Sequence, residues 1–217
     1  MRMNTKWPPD PDFVLSETAE LFDLLCPALE VGADWATRKM EEDDLGIDAA
    51  THSHMTRFRA AAYVDTSGRL AGTGFQRIEV GNSGLYFVRD DYEIRVMRPD
   101  IAFELGRAVR HVPTPRSGRR HTYYTQPTMF PMLASAALPS PRVRLLALWE
   151  TDEFWQCAGI DLAMPRSAAR RRFLSKCYWT TGVPMNRAVN VPVPAVTRPA
   201  MADIALRAVA KHVARDG

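Results

Sequence analysis

Residues 57–98 read RFRAAAYVDTSGRLAGTGFQRIEVGNSGLYFVRDDYEIRVMR, and the fold class turns on how this stretch is taken. Two turn-forming clusters, Asp65-Thr66-Ser67-Gly68 and Gly81-Asn82-Ser83-Gly84, divide it into three strand-like runs, 57–64, 69–80 and 85–98. In the last run Tyr92, Ile94 and Val96 alternate with Asp91, Glu93 and Arg95, the period of a strand with one buried and one wet face. An antiparallel meander is therefore expected. Gly72-Thr73-Gly74 lies inside the second run with no helix opening after it and no third glycine at the required spacing, so it is not a dinucleotide fingerprint.

Helical periods flank this core. Residues 15–29 carry Leu21, Phe22, Leu24 and Leu25 on one stripe, with Ser16 as the expected N-cap, and Pro27 is expected to break or restart the helix. A second piece runs from 27 to about 40 with Trp35 inward, ending at Glu41-Glu42-Asp43-Asp44, which reads as a solvated loop. Downstream, Ile101, Leu105, Ala108 and Val112 recur at i, i+4, i+7 and i+11, so a helix is expected over 101–112. The run 113–128, with Pro, Gly, Ser and Arg beside Tyr123 and Tyr124, reads as a long exposed loop. Residues 129–138 read as a short helix.

Residues 143–150 and 156–164 form a second expected hairpin around Thr151-Asp152-Glu153-Phe154, a register that would set Arg144 opposite Asp161. Ser167 is expected to cap a helix through about Trp179, 191–194 is a stiff connector, and a last helix starts near Pro199. The expected fold is α+β: an antiparallel sheet from the three-stranded meander, extended by the second hairpin, with helices on one face. Residues 1–12 read as an irregular arm and 13–217 as a single domain, the alternative being a split near 113–128 into an acidic and a basic part.

Charge distribution is the strongest functional signal. Residues 1–104 hold 11 Lys and Arg against 19 Asp and Glu, a net of −8, whereas 105–217 hold 17 against 6, a net of +11. From Leu105 to Trp149 there is no acid at all, but seven arginines, 107, 110, 116, 119, 120, 142 and 144. The 24 arginines against four lysines (6, 39, 176 and 211) read first as GC-rich coding and only second as bidentate phosphate recognition. Cations replace the counterions condensed on a nucleic acid, and unpaired bases stack on flat side chains. Arg116, Arg119, Arg120, Tyr123 and Tyr124, with Arg170, Arg171, Arg172 and Lys176, are accordingly the expected contact residues for nucleic acid or another polyanion. Docking of this basic half onto the acidic half of its own chain explains the pattern equally well.

Two other function classes have candidate residues. Asp90, Asp91 and Glu93, with Glu79 across the sheet, resemble the carboxylates of a two-metal nuclease or phosphoesterase, but the lysine such sites add is replaced by Arg95; a solvated strand face is the plainer account. His121 beside Arg120 is a candidate general acid with no assignable partner base. His52 and His54 could ligate a metal from an extended segment, where i and i+2 side chains share a face. An assembly or regulatory protein, self-associating or joining a protein partner through its charged halves, is the third class. The residues name no cofactor. Three cysteines without a Cys-x-x-Cys spacing argue against a disulfide framework, which fits a reducing cytoplasm, and no run of about 18 apolar residues is present to span a membrane.

Overall fold

A computed structural model describes residues 7–80, 84–104, 107–113, 123–124, 142–167 and 176–185, with backbone alone for 101–104, 107–111, 167 and 176. The architecture is α+β, two long helices and a six-stranded sheet, together with a separate two-stranded ribbon.

Helix α1 (Pro11–Glu42) starts earlier than Ser16: Asp10 is the N-cap, its carboxylate accepting from the amides of Asp12 (3.0 Å) and Phe13 (3.3 Å), and Pro11 follows at a position where its missing N–H costs nothing. Ser16 instead lies within the helix and donates to the Phe13 carbonyl. Pro27 does not break it. An internal proline costs about 3 kcal/mol, whereas fully burying one leucine contributes about 1.5–3 kcal/mol. Leu21, Leu24, Leu25 and Leu29, all fully buried, straddle the proline on one stripe and outweigh it. Asp23, whose carbonyl loses its partner, is exposed to water.

Helix α2 (Ala49–Thr66), capped by the Asp48 carboxylate on the amides of Ala50 and Thr51, takes in the first run expected as a strand. Its buried residues His52, Ser53, Thr56, Ala60, Tyr63 and Val64 follow a helical period, and the Ala60-Ala61-Ala62 triplet favours helix over strand. It packs closely on α1: a Cβ added to Gly32 would lie 2.5 Å from the Thr56 carbonyl oxygen, so only glycine permits this approach. The second run holds a 3-10 turn (Leu70–Thr73), a left-handed Gly74, and the two-residue strand β1 (Gln76–Arg77). The third folds back on itself into β2 (Leu85–Val88) and β3 (Tyr92–Met97).

Residues 101–112 are not a helix: β4 (Asp100–Glu104) and β5 (Arg107–His111) pair antiparallel as the separate ribbon. Gly106 falls mid-run in the sequence, where a helix would lose about 1 kcal/mol, and the strand register sets Glu104 beside Arg107. The second hairpin forms as β6 (Val143–Thr151) and β7 (Cys157–Ser167), and the helix expected from Ser167 through Trp179 is corrected at both ends, Ser167 closing β7 and Lys176–Gly182 forming β8, while 168–175 lie outside the described residues. Cys177-Tyr178-Trp179-Thr180-Thr181 is rich in aromatic and β-branched residues, which suit a strand.

The sheet order is β1-β2-β3-β6-β7-β8, and the β3–β6 pair is parallel, so the sheet is mixed and the purely antiparallel expectation is corrected. The chain leaves β3 at Met97 and returns at Val143, well beyond the roughly one dozen residues a parallel crossover needs. Strands from the acidic and basic halves thus share one sheet. Register between β6 and β7 also differs from expectation: Asp152 accepts from the amides of Phe154 and Gln156, which lengthens the loop, and Leu148 stands opposite Asp161. Arg144 lies beside Glu93 instead.

Alternation along the strands divides the core in two. One face presents Leu85, Phe87, Tyr92, Ile94, Val96, Leu145, Ala147, Trp149, Ile160, Leu162 and Met164 to the helices. On the other, Val112, Tyr123 and Tyr124 cover Leu146, Leu148 and Ala163, beside Tyr86, Met97 and Cys177. No helix among the described residues is long and apolar enough to cross a membrane. The residues of the expected helices over 129–138 and from 199, and the connector 191–194, lie outside the described residues.

Candidate functional site

The parity that buries Tyr92, Ile94 and Val96 against the helices turns Glu93 and Arg95 to the opposite face. The parallel register then sets Glu93 next to Arg144, and the antiparallel one sets Arg95 next to Tyr86. These pairings assemble a polar cluster that no single stretch of sequence contains.

Glu93 is its only carboxylate among the described residues. Arg144 Nε lies 3.4 Å from one carboxylate oxygen and Arg142 Nη1 3.9 Å from the other. The Arg95 guanidinium sits between two rings, with its carbon 4.8 Å from the centre of Tyr86 and 4.5 Å from that of Tyr123. Cation–π contacts of this kind contribute about 0.5–2 kcal/mol each. Arg95 Nε is buried with no hydrogen-bond partner among the described residues, so the rings, not hydrogen bonds, hold this part of the side chain. Arg144 also approaches Tyr123, at 6.0 Å.

Tyr123 ties the cluster to the sheet. Its hydroxyl donates to the carbonyls of Glu93 (2.8 Å) and Leu145 (2.7 Å), on neighbouring strands, and its ring meets Tyr86 edge-on. Burial, with the Glu93 charge adding, pushes the Tyr86 phenol up to about 12, and burial pushes Tyr123 well above the ordinary tyrosine range. Both stay neutral at pH 7. Among the described residues the cluster brings three guanidinium groups together with one carboxylate, and the Arg142 side chain keeps 38 % of its exposure.

Of the residues expected to contact a polyanion, Tyr123 and Tyr124 are placed here, but buried rather than exposed. Their rings face Arg95 and the core, and the Tyr124 hydroxyl donates to the Pro113 carbonyl. Arg116, Arg119, Arg120, His121, Arg170, Arg171 and Arg172, and the side chain of Lys176, lie outside the described residues.

Asp90 and Asp91 are the two central residues of the turn between β2 and β3 that backbone hydrogen bonds between Arg89 and Tyr92 close, Asp90 exposed and Asp91 half-buried. Glu93 faces arginines. His52 and His54 lie on α2, not on an extended segment, and so point to different sides: His54 is exposed and His52 fully buried. Nε2 of His52 lies 3.0 Å from Thr37 Oγ1 and 3.3 Å from the Ala33 carbonyl, and its ring packs on Trp155. Burial, with Arg98 adding, holds His52 below the ordinary histidine range, against the pull of the Ala33 carbonyl. Among the described residues no three His, Cys, Asp or Glu side chains are gathered as a metal ion would require.

Tyr86, Arg142 and Arg144 were not singled out as contacts by sequence reasoning, and Arg95 only as a poor base. The acid-free stretch contains Arg142 and Arg144, yet their convergence with Glu93 depends on a parallel pairing that no local pattern encodes. Compared with known proteins, the chain matches no family model, no curated protein and no solved structure.

Proposed function

We propose that this protein binds a polyanion, with nucleic acid the leading class, through the sheet face that carries Arg95, Arg142 and Arg144. The observation that carries the reading is the gathering on one sheet face, among the described residues, of three guanidinium groups, those of Arg95, Arg142 and Arg144, with one carboxylate, that of Glu93. Arginines presented by a rigid sheet suit a phosphate backbone, since the fork geometry is already set. Tyr124 donates to the Pro113 carbonyl on this same face. Because the tyrosine rings are covered by arginine, the contact falls on phosphates rather than on stacked bases, which implies little sequence preference.

The test is a titration of the full chain with labelled single-stranded DNA and RNA oligonucleotides across a range of salt concentrations. Affinity is expected to fall linearly on a log–log scale by about 0.7 per phosphate neutralised. Charge reversal at Arg119, Arg120, Arg171 and Arg172 is expected to abolish it. Absent or salt-insensitive binding overturns the proposal.

A further inference from the structure

Strand β8 stands at the end of the sheet order among the described residues, and the β7–β8 ladder is interrupted twice in succession. Met164 pairs with Trp179 and Pro165 with Cys177, which leaves Tyr178 as an extra residue on β8. Pro165 pairs with Cys177 and Ser167 with Lys176, which leaves Arg166 as an extra residue on β7. The sequence accounts for the interruption: proline has no N–H to donate to a ladder, and within strands it is tolerated at bulges. A bulge re-aims the side chain of its extra residue. Here the two re-aimed side chains meet, the Arg166 guanidinium carbon lying 5.7 Å from the centre of the Tyr178 ring.

The N-terminal arm braces this pair. Trp179 Nε1 donates to the Pro9 carbonyl at 3.0 Å, and two residues earlier the Trp7 ring meets Tyr178 edge-on, with 6.1 Å between centres and 77° between planes. Trp7 and Trp179 both pack against the helix-side core, so the support beside the pair belongs to the folded domain. Tyr123 in the arginine cluster is buried, but Tyr178 keeps 37 % of its exposure and Arg166 is exposed. An exposed guanidinium over an exposed ring presents a flat surface with a positive charge. Its complement is a flat ring carried on an anionic chain, which describes an unpaired nucleotide.

We propose that Arg166 and Tyr178, steadied by Trp7, form a platform on which one base of a single-stranded nucleic acid stacks. The inference rests on the polyanion reading above and adds to it. At the arginine cluster the rings are covered and contact falls on phosphates, whereas at the β8 edge a ring is open to a base. Every base has a π-face, so stacking here carries little sequence preference but favours single strands over duplexes, whose bases already stack on one another.

The experiment compares binding of the full chain to two labelled strands of equal phosphate count, an oligothymidylate of about ten nucleotides and its abasic counterpart. The base-bearing strand is expected to bind about fivefold tighter or more, the low end of what one stacked base contributes. Tyr178→Ala is expected to remove that preference while leaving the salt slope of the abasic strand unchanged, and Tyr178→Phe, which keeps the ring, is expected to retain it. Should Tyr178→Ala lose its fold, Tyr178→Leu, which keeps bulk without an aromatic face, decides in its place. Equal binding of both strands with a normal salt slope overturns the platform and leaves the polyanion reading standing; absence of binding by either strand overturns both. A preference that survives the loss of the Tyr178 ring also overturns the platform. So does Tyr178-dependent binding of an oligoproline peptide alongside equal binding of the two strands, which would assign the surface to a proline-rich protein segment.

Discussion

The two faces of the six-stranded sheet are built from the same strands by opposite parities and have different chemistry. Toward α1 and α2 the strands present Leu85, Phe87, Ile94, Val96, Leu145, Trp149 and Leu162, an apolar surface with no charged side chain among them. Toward the other side they present Tyr86, Glu93, Arg95, Arg144, Glu150 and Asp161 around a smaller apolar patch. The first face stabilises the fold through buried area. The second is far more polar than a packing surface needs, as a binding surface would be.

The contrast can be broken most severely at Phe87, which is fully buried on the helix-covered face. Phe87→Ala is expected to lose about 3–5 kcal/mol in denaturant unfolding; Tyr86→Ala, one residue along and half-buried, should cost clearly less. Comparable losses would mean that the two faces do not differ in role. Next in size is Gly32→Ala, whose Cβ would meet the Thr56 carbonyl at 2.5 Å; forcing the helices apart should cost about 1–3 kcal/mol, visible as a lower thermal midpoint.

A pH effect follows from His52 between the helices. Its folded-state pKa lies below the unfolded value of 6.5, so the unfolded chain takes up the proton first. The stability His52 contributes is complete above pH 6.5 and is lost as pH falls through its folded pKa, with a slope of at most about 1.4 kcal/mol per pH unit for one proton. The thermal midpoint measured from pH 7.5 downward should carry this slope, and His52→Gln should remove it. An unchanged slope in that variant would assign the titration to other groups.

The smallest stability effect is expected at Glu93→Gln. Its ion pairs are partly solvated, so the cost should be about 1 kcal/mol or less. Polyanion affinity should rise, because the substitution removes the negative charge beside Arg142 and Arg144. Weaker binding in a variant that keeps its fold would show Glu93 to position the arginines rather than compete for them.

Local pattern was sufficient where a strand had one buried face or a helix one buried stripe: the alternation at Tyr92–Met97, the hairpin of β6 and β7, and the leucines of α1 were all readable. It failed where two periods fit the same residues. Ile101, Leu105, Ala108 and Val112 match a helical stripe although β4 and β5 pair as antiparallel strands there, and the strand-like run read from Arg57 belongs to α2. In the candidate site, Glu93 and Tyr123 were legible as residues of interest, but not their meeting. Arg142 and Arg144 reach Glu93 only through the parallel β3–β6 pairing, formed after a long crossover that leaves no local trace.

The most direct measurement of the phosphate-binding reading is the salt dependence of oligonucleotide affinity in parent and Arg142→Gln/Arg144→Gln chains of equal thermal stability. If these two guanidinium groups each neutralise one phosphate, the log–log slope should become shallower by about 1.4 in the double variant. An identical slope in both chains would place the arginines of this face outside any contact with phosphate and contradict the proposal.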